Sequence, residues 1–167
     1  MKKTKAIPHF DVSDIDTVEI PGVYVWLNAR NHPSFRGPRL TGEWWLRDST
    51  ISEDGTPGKK WVTNEGLASS QGKELTKILG IRPIITLNHS LWNDQYNIPF
   101  YSEVEIGRTM FTKVGHNRFL SDSIVVRTPY TLPPEDLESV ALDEDGSVSP
   151  DNTMSRYLNS DNFKSAL

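Results

Sequence analysis

Hydrophobic and polar positions alternate in short runs along most of this chain, which is the pattern of β-strands. Strands are predicted at 43–47, 61–63, 81–87, 104–106, 109–114, 118–120 and 123–127. Residues 17–27 also alternate, but Pro21 and Gly22 interrupt them. Because proline cannot donate to a strand ladder, this segment predicts two short strands or one bulged edge strand.

Two segments have helical spacing instead. Residues 71–79 place three apolar side chains on one helical face, and Gly80 follows directly, as glycine often does at a helix end. Residues 151–167 repeat apolar positions three and four apart, with a polar break at 159–161. The first segment predicts one short helix, and the second predicts two short helices or one kinked helix.

The distribution of these elements indicates the fold class. Many short strands, few helices and long connectors between them predict an irregular α+β domain. A doubly wound sheet is not expected, because helices do not alternate with the strands. Residues 1–16 are polar and show no periodicity, so they are predicted to form an N-terminal arm, and residues 17–167 a single domain.

Composition narrows the function classes. The 167 residues are enough to bury one core, and the absence of cysteine excludes disulfides, thiolate nucleophiles and cysteine-type zinc sites. No apolar stretch has the length of a signal peptide core or a membrane span, which predicts a soluble protein made without an export signal. A net charge of -4 argues against a nucleic-acid partner, because nucleic-acid binders usually carry a basic surplus.

Charge is unevenly placed along the chain. Residues 28–47 contain four arginines and one glutamate, whereas residues 131–151 contain seven acidic residues and neither lysine nor arginine. Two interpretations stay open: two solvated loops, or complementary patches that meet within one subunit or between neighbours. Complementary patches steer association more than they add affinity.

Two runs, WWLR and GIRP, place an arginine among apolar residues. On a strand, Trp44 and Leu46 face one side, and Trp45 and Arg47 face the other. A charged side chain inside a core is tolerated when it is paired and hydrogen-bonded. Both tryptophans, Arg47 and Arg82 are therefore predicted to form a structural clasp, and an anion or carboxylate site is the functional alternative.

These runs carry a family resemblance. WWLR, a valine and a glycine after it, and then GIRP resemble the signature WWLRS…V…G…GVRPA of an uncharacterised domain family of bacteria and phages. VEIG at 104–107 and FLSD at 119–122 resemble a VxFGxY…LLS segment of that family. Residues 155–167 resemble its helices, LRxWLN…F…AF, so that the resemblance covers residues 40–167.

The order of the segments departs from the family pattern, in which the FG-type strand and the WLN helices precede WWLR. Two explanations stay open: a circularly permuted domain, or complementary halves exchanged between neighbouring chains. Exchange would build oligomers or filaments. Asp48 stands where the family has serine, which weakens the transfer of residue roles.

The resemblance implies a layout similar to the formylglycine-generating-enzyme and C-type-lectin-like fold, whose long loops present variable surfaces. That group includes phage receptor-binding proteins, so the resemblance implies binding rather than catalysis. The expected function is a non-enzymatic phage virion protein of the decoration, tail or baseplate type, made in the host cytoplasm. It would contact protein neighbours or copies of itself through the N-terminal arm and the loops. Two alternatives stay open: a receptor- or carbohydrate-binding adhesin, and a cytoplasmic hydrolase whose Ser–His–carboxylate triad assembles only in space.

Aromatic side chains on predicted loops are the candidate contacts for a protein or a glycan. The binding candidates are Phe35, Trp92 and Tyr96, together with Arg36 and Arg39 of the basic stretch.

Metal chemistry has one candidate in the sequence. Asn93 and Asp94 follow Trp92 in a triplet similar to the one with which C-type lectins hold calcium. Calcium takes about six to eight oxygen ligands, and the partner sequence Glu-Pro-Asn does not occur upstream. A turn with Trp92 packed inward is therefore favoured, and neither a metal nor a cofactor is expected.

Overall fold

The computed structural model describes residues 7–35, 42–132 and 149–167, which form a mixed α+β structure of two β-sheets and a few short helices. The strands are β1 (His9–Phe10), β2 (Ile15–Glu19), β3 (Trp44–Ile51), β4 (Pro57–Val62), β5 (Lys73–Glu74), β6 (Ile78–Ile81), β7 (Ile84–Leu87), β8 (Glu103–Ile106), β9 (Thr109–Gly115), β10 (Arg118–Ser121) and β11 (Val126–Pro129). The helices are α1 (Val23–Arg30), α2 (Trp92–Asn97), α3 (Pro150–Leu158) and α4 (Asp161–Lys164). The predicted α+β class is confirmed.

The strands form two sheets that both combine distant parts of the chain. One sheet has six strands in the order β1-β8-β9-β10-β7-β2, and the other has five in the order β11-β6-β3-β4-β5. Most neighbouring strands are antiparallel, but β1 runs parallel to β8, and β3 runs parallel to β6. Strand β11 joins the sheet of Trp44 by pairing with β6.

The chain crosses from one sheet to the other at two neighbouring places. Strand β6 belongs to the five-stranded sheet and β7 to the six-stranded sheet, so Arg82 and Pro83 between them form the first crossing. The second crossing leads from β10 to β11. Ser121, at the end of β10, donates its N–H to the Pro83 carbonyl oxygen at 3.0 Å and thereby joins the two crossings.

Buried apolar side chains form two clusters on opposite faces of β3. The larger cluster contains Trp45 and side chains from both sheets and from α3 and α4. The smaller cluster contains Trp44 and Leu46 with Trp26 of α1. Trp44, Trp45 and Leu46 are fully buried, and they alternate between the clusters as the strand periodicity predicts.

The helix predicted over 71–79 is wrong. Residues 73–74 form β5 beside β4, and residues 78–81 form β6 between β3 and β11. Ile78 is 66% exposed, so the apolar spacing in this segment does not mark a buried helical face. Pairing with strands that are distant in the sequence overrides the local spacing.

The second half of segment 17–27 also differs from the prediction. Ile15–Glu19 form β2 against β7, but Val23–Arg30 form a helix rather than a second strand. Asp48 of β3 accounts for the helix start, because its Oδ1 accepts a hydrogen bond from the Val23 N–H at 2.9 Å. This bond satisfies a donor of the first helical turn, which has no partner within the helix itself.

The described part of the predicted N-terminal arm is built into the domain. His9–Phe10 pair with β8, and both Phe10 and Ile15 are buried. Residues 1–6 of the predicted arm lie outside the described residues.

The two predicted C-terminal helices are confirmed, with the break at Asn159 and Ser160. The Asn159 side chain binds strand β2 of the six-stranded sheet. Its Oδ1 accepts from the Val18 N–H at 2.9 Å, and its Nδ2 donates to the Val18 carbonyl oxygen at 3.0 Å. Among the described residues, none forms a helix with the length and apolar character needed to cross a membrane.

Candidate functional site

Exposed aromatic side chains gather on the connector between β7 and β8. Trp92, Tyr96 and Phe100 are 47%, 55% and 52% exposed. The Trp92 and Tyr96 rings meet edge to face at 4.7 Å, and the His116 ring lies 6.0 Å from Tyr96 and 5.5 Å from Phe100. His89 extends the group on the other side, 5.7 Å from Trp92. These five side chains are called the aromatic patch below.

The patch is carried by α2, in which Trp92 and Tyr96 lie four residues apart and therefore on one face. The opposite face is anchored, because buried Gln95 donates from its Nε2 to the Asn88 carbonyl oxygen at 2.6 Å. Lys113 of β9 donates from its buried Nζ to the carbonyl oxygens of Gln95 and Ile98, at 2.5 and 2.9 Å. A cation at the end of a helix satisfies carbonyls that the helix leaves open. Burial lowers the pKa of Lys113.

Polar groups beside the patch are largely used within the protein. The Asn117 side chain accepts from the Leu87 N–H at 2.9 Å and donates to the Leu87 carbonyl oxygen at 2.8 Å. The space enclosed between α2 and Asn117 measures about 30 Å³. The patch is therefore an outward-facing surface rather than a pocket for a small molecule.

The structure corrects one predicted contact. Phe35 is 3% exposed, and its ring stands edge-on to Trp26 at 6.0 Å within the smaller cluster. Burial of a phenylalanine ring against an indole is favourable, and it removes this ring from the surface that a partner would meet. Arg36 and Arg39 lie outside the described residues.

The calcium-type triplet lies on α2 rather than in a turn. Trp92 points outward instead of packing inward, and Asn93 and Asp94 are exposed beside it. Among the described residues, no group of three or more acidic or histidine side chains is placed to hold a metal ion.

Three of the four predicted clasp residues lie inside the protein. The Arg82 guanidinium is 4.9 Å from the Trp44 ring and 5.3 Å from the Trp26 ring, and Nε donates to the Ser121 carbonyl oxygen at 3.0 Å. Trp45 donates from Nε1 to the Thr128 carbonyl oxygen at 2.9 Å and so links β3 to β11. The Trp44 indole N–H finds no partner among the described residues.

Arg47, the fourth predicted clasp residue, is exposed and lines a cleft of about 530 Å³ between the two sheets and α3. The cleft walls are formed by Val18, Glu19, Ile20, Arg47, Ser49, Lys59, Tyr130, Asp151, Met154, Ser155 and Leu158. Among the described residues, the guanidinium of Arg47 takes part in no ion pair or hydrogen bond.

Lys59, Tyr130 and Asp151 form a hydrogen-bonded trio inside this cleft. Lys59 is 4% exposed, and its Nζ lies 2.8 Å from Asp151 Oδ1 and donates to the Arg47 carbonyl oxygen at 2.9 Å and to Ser49 Oγ at 2.7 Å. The Tyr130 hydroxyl donates to the same Asp151 oxygen at 2.8 Å. The ammonium of Lys59 also stands 5.1 Å from the Tyr130 ring.

The electrostatics of the trio favour binding over proton transfer. Burial, the hydrogen bond to Asp151 and the Asp151 charge all raise the pKa of Tyr130, so its phenol keeps the proton. Burial alone would raise the pKa of Asp151, but the hydrogen bonds from Lys59 and Tyr130 and the Lys59 charge outweigh it and lower that pKa. Asp151 is therefore ionised at neutral pH and engaged by two donors, which makes it a poor general base.

The state of Asp151 is testable by titration. A folded-state pKa below the usual value of about 3.9 stabilises the protein above that pH, and the contribution is lost as the pH falls through the folded pKa. An NMR titration of the side-chain carboxyl is expected to give a midpoint below 3.9, and Tyr130→Phe is expected to raise that midpoint by removing one hydrogen bond. An unchanged midpoint in Tyr130→Phe would contradict this account.

One described residue from each of the oppositely charged stretches lines this cleft. Arg47 comes from the basic stretch and Asp151 from the acidic stretch, and both line the cleft. The ion-pair partner of Asp151, however, is Lys59 of β4. Residues 133–148, which hold most of the predicted acidic loop, lie outside the described residues.

Ser34 and His32 contact each other, but they do so within a local turn and not across the fold as a triad would. His32 Nδ1 lies 2.7 Å from Ser34 Oγ and accepts from the Ser34 N–H at 3.1 Å. The His32 ring stacks on Tyr101 at 3.8 Å, and neither His32 nor Ser34 lines the cleft. These contacts stabilise the turn, and the spatially assembled triad stays a prediction.

The sequence-based site prediction missed Lys59, Tyr130 and Asp151. Lys59 lies in a predicted turn, Tyr130 follows a predicted strand, and Asp151 begins the predicted terminal helices. No local pattern joins the three. Phe100 and His116 of the aromatic patch were also missed, although the aromatic side chain of Phe100 on a predicted connector was a usable signal.

Comparison of the chain with protein-family models, curated proteins and solved structures gave no match. The resemblance to the WWLRS…GVRPA family therefore stays a prediction from the sequence.

Proposed function

We propose that this protein is a non-enzymatic assembly protein that docks on copies of itself through the aromatic patch. The observation that carries the proposal is the exposure of Trp92, Tyr96 and Phe100, each about half accessible. Trp92 packs against Tyr96, and the His116 ring contacts both Tyr96 and Phe100. Tryptophan and tyrosine are the side chains most often found at the energetic centre of protein interfaces.

The chemistry beside the patch favours a protein partner over a glycan. Sugar recognition needs several polar groups fixed in position around the stacking ring. Here the amides of Gln95 and Asn117 and the ammonium of Lys113 are bonded to backbone carbonyls. What they leave available is chiefly apolar ring surface, which suits the buried centre of a protein interface.

The patch also has groups that suit self-association. Two copies related by a twofold axis present the same surface to each other, so the surface has to be complementary to itself. The patch has an acidic side chain, Asp94, on the same helix as its aromatic rings, and imidazoles, His89 and His116, at its two sides. Such a set allows aromatic packing at the centre and polar contacts at the rim.

The wider context of this proposal comes from the sequence resemblance. It points to a C-type-lectin-like layout and to a phage virion component of the decoration, tail or baseplate type, located in the virion. The aromatic patch is the contact surface that such a component would use toward its neighbours in the assembly.

Sedimentation equilibrium tests the proposal with purified protein alone. The wild-type chain is expected to associate, and the double variant Trp92→Ala/Tyr96→Ala is expected to associate at least about tenfold more weakly, because truncating interface aromatics commonly costs more than 1.4 kcal/mol. Tyr24→Ala is the matched control, since Tyr24 is 81% exposed on α1, a different helix.

Two results would overturn the proposal. One is a wild-type chain that stays monomeric at every concentration. The other is association that is unchanged in the double variant, or reduced equally by Tyr24→Ala. If a glycan array bound the wild type and not the double variant, the partner of the patch would be a carbohydrate rather than a protein. Circular dichroism of each variant separates lost association from lost folding.

A further inference from the structure

We propose that the cleft lined by Arg47 is a binding site for a small organic monocarboxylate with an apolar body. The proposal concerns a different surface from the aromatic patch and does not depend on self-association. It is carried by three features of the cleft: an available guanidinium, an apolar wall and a nearly balanced charge.

The guanidinium of Arg47 is the available cation. The second cation of the cleft, Lys59, is buried, neutralised by Asp151 and bonded to the Arg47 carbonyl oxygen and to Ser49 Oγ. Arg47 lies exposed in the same cleft, close enough to the Tyr130 hydroxyl to influence its ionisation. A guanidinium presents a planar fork of donors that matches the two oxygens of a carboxylate.

Part of the cleft wall is apolar. Val18, Ile20, Met154 and Leu158 line the cleft and are buried in the protein. Its volume of about 530 Å³ lies within the usual range of small-molecule sites, about 300–1,000 Å³. A ligand with a hydrocarbon or aromatic body would cover this wall while its charged end reaches Arg47.

The balance of charge selects a single negative charge. Arg47 and Lys59 contribute two positive charges, and Asp151 and Glu19 contribute two negative ones. Glu19 pairs with Arg118 at 3.5 Å, and Arg118 adds a third positive charge, so that one positive charge is in excess. A monoanion can bind Arg47 without strong repulsion, whereas a dianion such as a phosphate monoester would face the carboxylate of Asp151 with twice the charge.

The backbone at Gly22 leaves room for the guanidinium. A Cβ at Gly22 would lie 2.9 Å from Arg47 Nη2, so an added methyl group would require the arginine head to shift. The φ of Gly22 is -85°, a conformation that alanine also adopts. Gly22→Ala should therefore displace the guanidinium while keeping its charge and the backbone conformation.

An NMR titration of labelled protein with hexanoate tests the site. Saturable shifts are expected in the amide signals of Arg47, Ser49 and Ser155. Arg47→Gln is expected to weaken hexanoate binding about tenfold or more, since a charge-assisted bidentate contact is lost. Arg127→Gln, which removes an exposed arginine from β11, should bind like the wild type. Gly22→Ala should fall between them.

Ligand controls test the chemical class. Hexanol has the same body without the charge, and hexyl phosphate carries a dianionic head; both are expected to bind at least about tenfold more weakly than hexanoate. Thermal unfolding confirms that Arg47→Gln is folded. The proposal is overturned if hexanoate gives no saturable shifts at these residues, if Arg47→Gln binds it as the wild type does, or if hexanol or hexyl phosphate binds as tightly.

Discussion

Replacing Arg82 by alanine is expected to lower the free energy of unfolding by about 3–5 kcal/mol, a large share of the stability of an ordinary domain. The Arg82 side chain is 1% exposed, and its guanidinium lies beside the Trp26 and Trp44 rings, which contact each other at 4.9 Å. Its Nε donates to the Ser121 carbonyl oxygen at the second crossing between the sheets. Alanine would leave a cavity beside the two indoles and would also remove this donor.

Arg82→Met separates the two contributions. Methionine fills much of the space without donating hydrogen bonds, so the expected loss is about 1–3 kcal/mol, the cost of the polar contacts without the cavity. Urea unfolding followed by tryptophan fluorescence measures both variants, because Trp26 and Trp44 contact the substituted position.

Arg127→Ala is the matched control for Arg82→Ala. Arg127 is exposed on β11, and its removal is expected to change the free energy of unfolding by about 0.5 kcal/mol or less. If Arg82→Ala were no more destabilising than Arg127→Ala, Arg82 would not hold the two crossings together. If Arg82→Met cost as much as Arg82→Ala, packing against the indoles would have no share in the effect.

Replacing Gly80 by alanine is expected to lower the free energy of unfolding by about 1–3 kcal/mol, although alanine in a strand is normally more stable than glycine. A Cβ at Gly80 would lie 2.6 to 2.7 Å from three atoms of Ile124. Strand β6 has β3 on one side and β11 on the other, so its backbone cannot move away without breaking hydrogen bonds. Ile124 is β-branched and has few rotamers with which to make room.

The double variant Gly80→Ala/Ile124→Ala tests this contact directly. It is expected to be less destabilised than the sum of the single variants, with an interaction energy of about 1–2 kcal/mol. Gly115→Ala in β9 is the control, because its added Cβ would meet side-chain atoms at 3.5 Å or more. Strict additivity of the two substitutions, or equal losses in Gly80→Ala and Gly115→Ala, would contradict the steric explanation.

Local alternation was enough to predict the strands that carry their pattern within a few residues. Strands β8, β9 and β10 lie where the sequence places them, and the two indoles of β3 face the two clusters as predicted. The helix α1 and the strand β6 were missed, since their conformation depends on partners far along the chain. Asp48 starts the helix, and β3 and β11 hold the strand.

The candidate sites divide in the same way. Trp92 and Tyr96 could be predicted as surface contacts, because both are aromatic and stand on a connector. The cleft could not, since Arg47, Lys59, Tyr130 and Asp151 come from four different segments and meet only after both sheets have formed. The sequence predicts Arg47 in the clasp with Arg82, but the structure exposes Arg47. A strand pattern shows that Arg47 faces the side opposite Trp44. It does not show whether other elements cover that side at Arg47.

The hydrogen bonds between Val18 and Asn159 join residues that are 141 positions apart. During translation, β2 therefore leaves the ribosome long before the helix end that will bind it has been made. Until Asn159 has emerged, the N–H and carbonyl of Val18 on the outer edge of β2 lack the side chain that binds them, and contacts this distant form slowly. The nascent chain is expected to need protection from aggregation over this interval, as a holding chaperone provides.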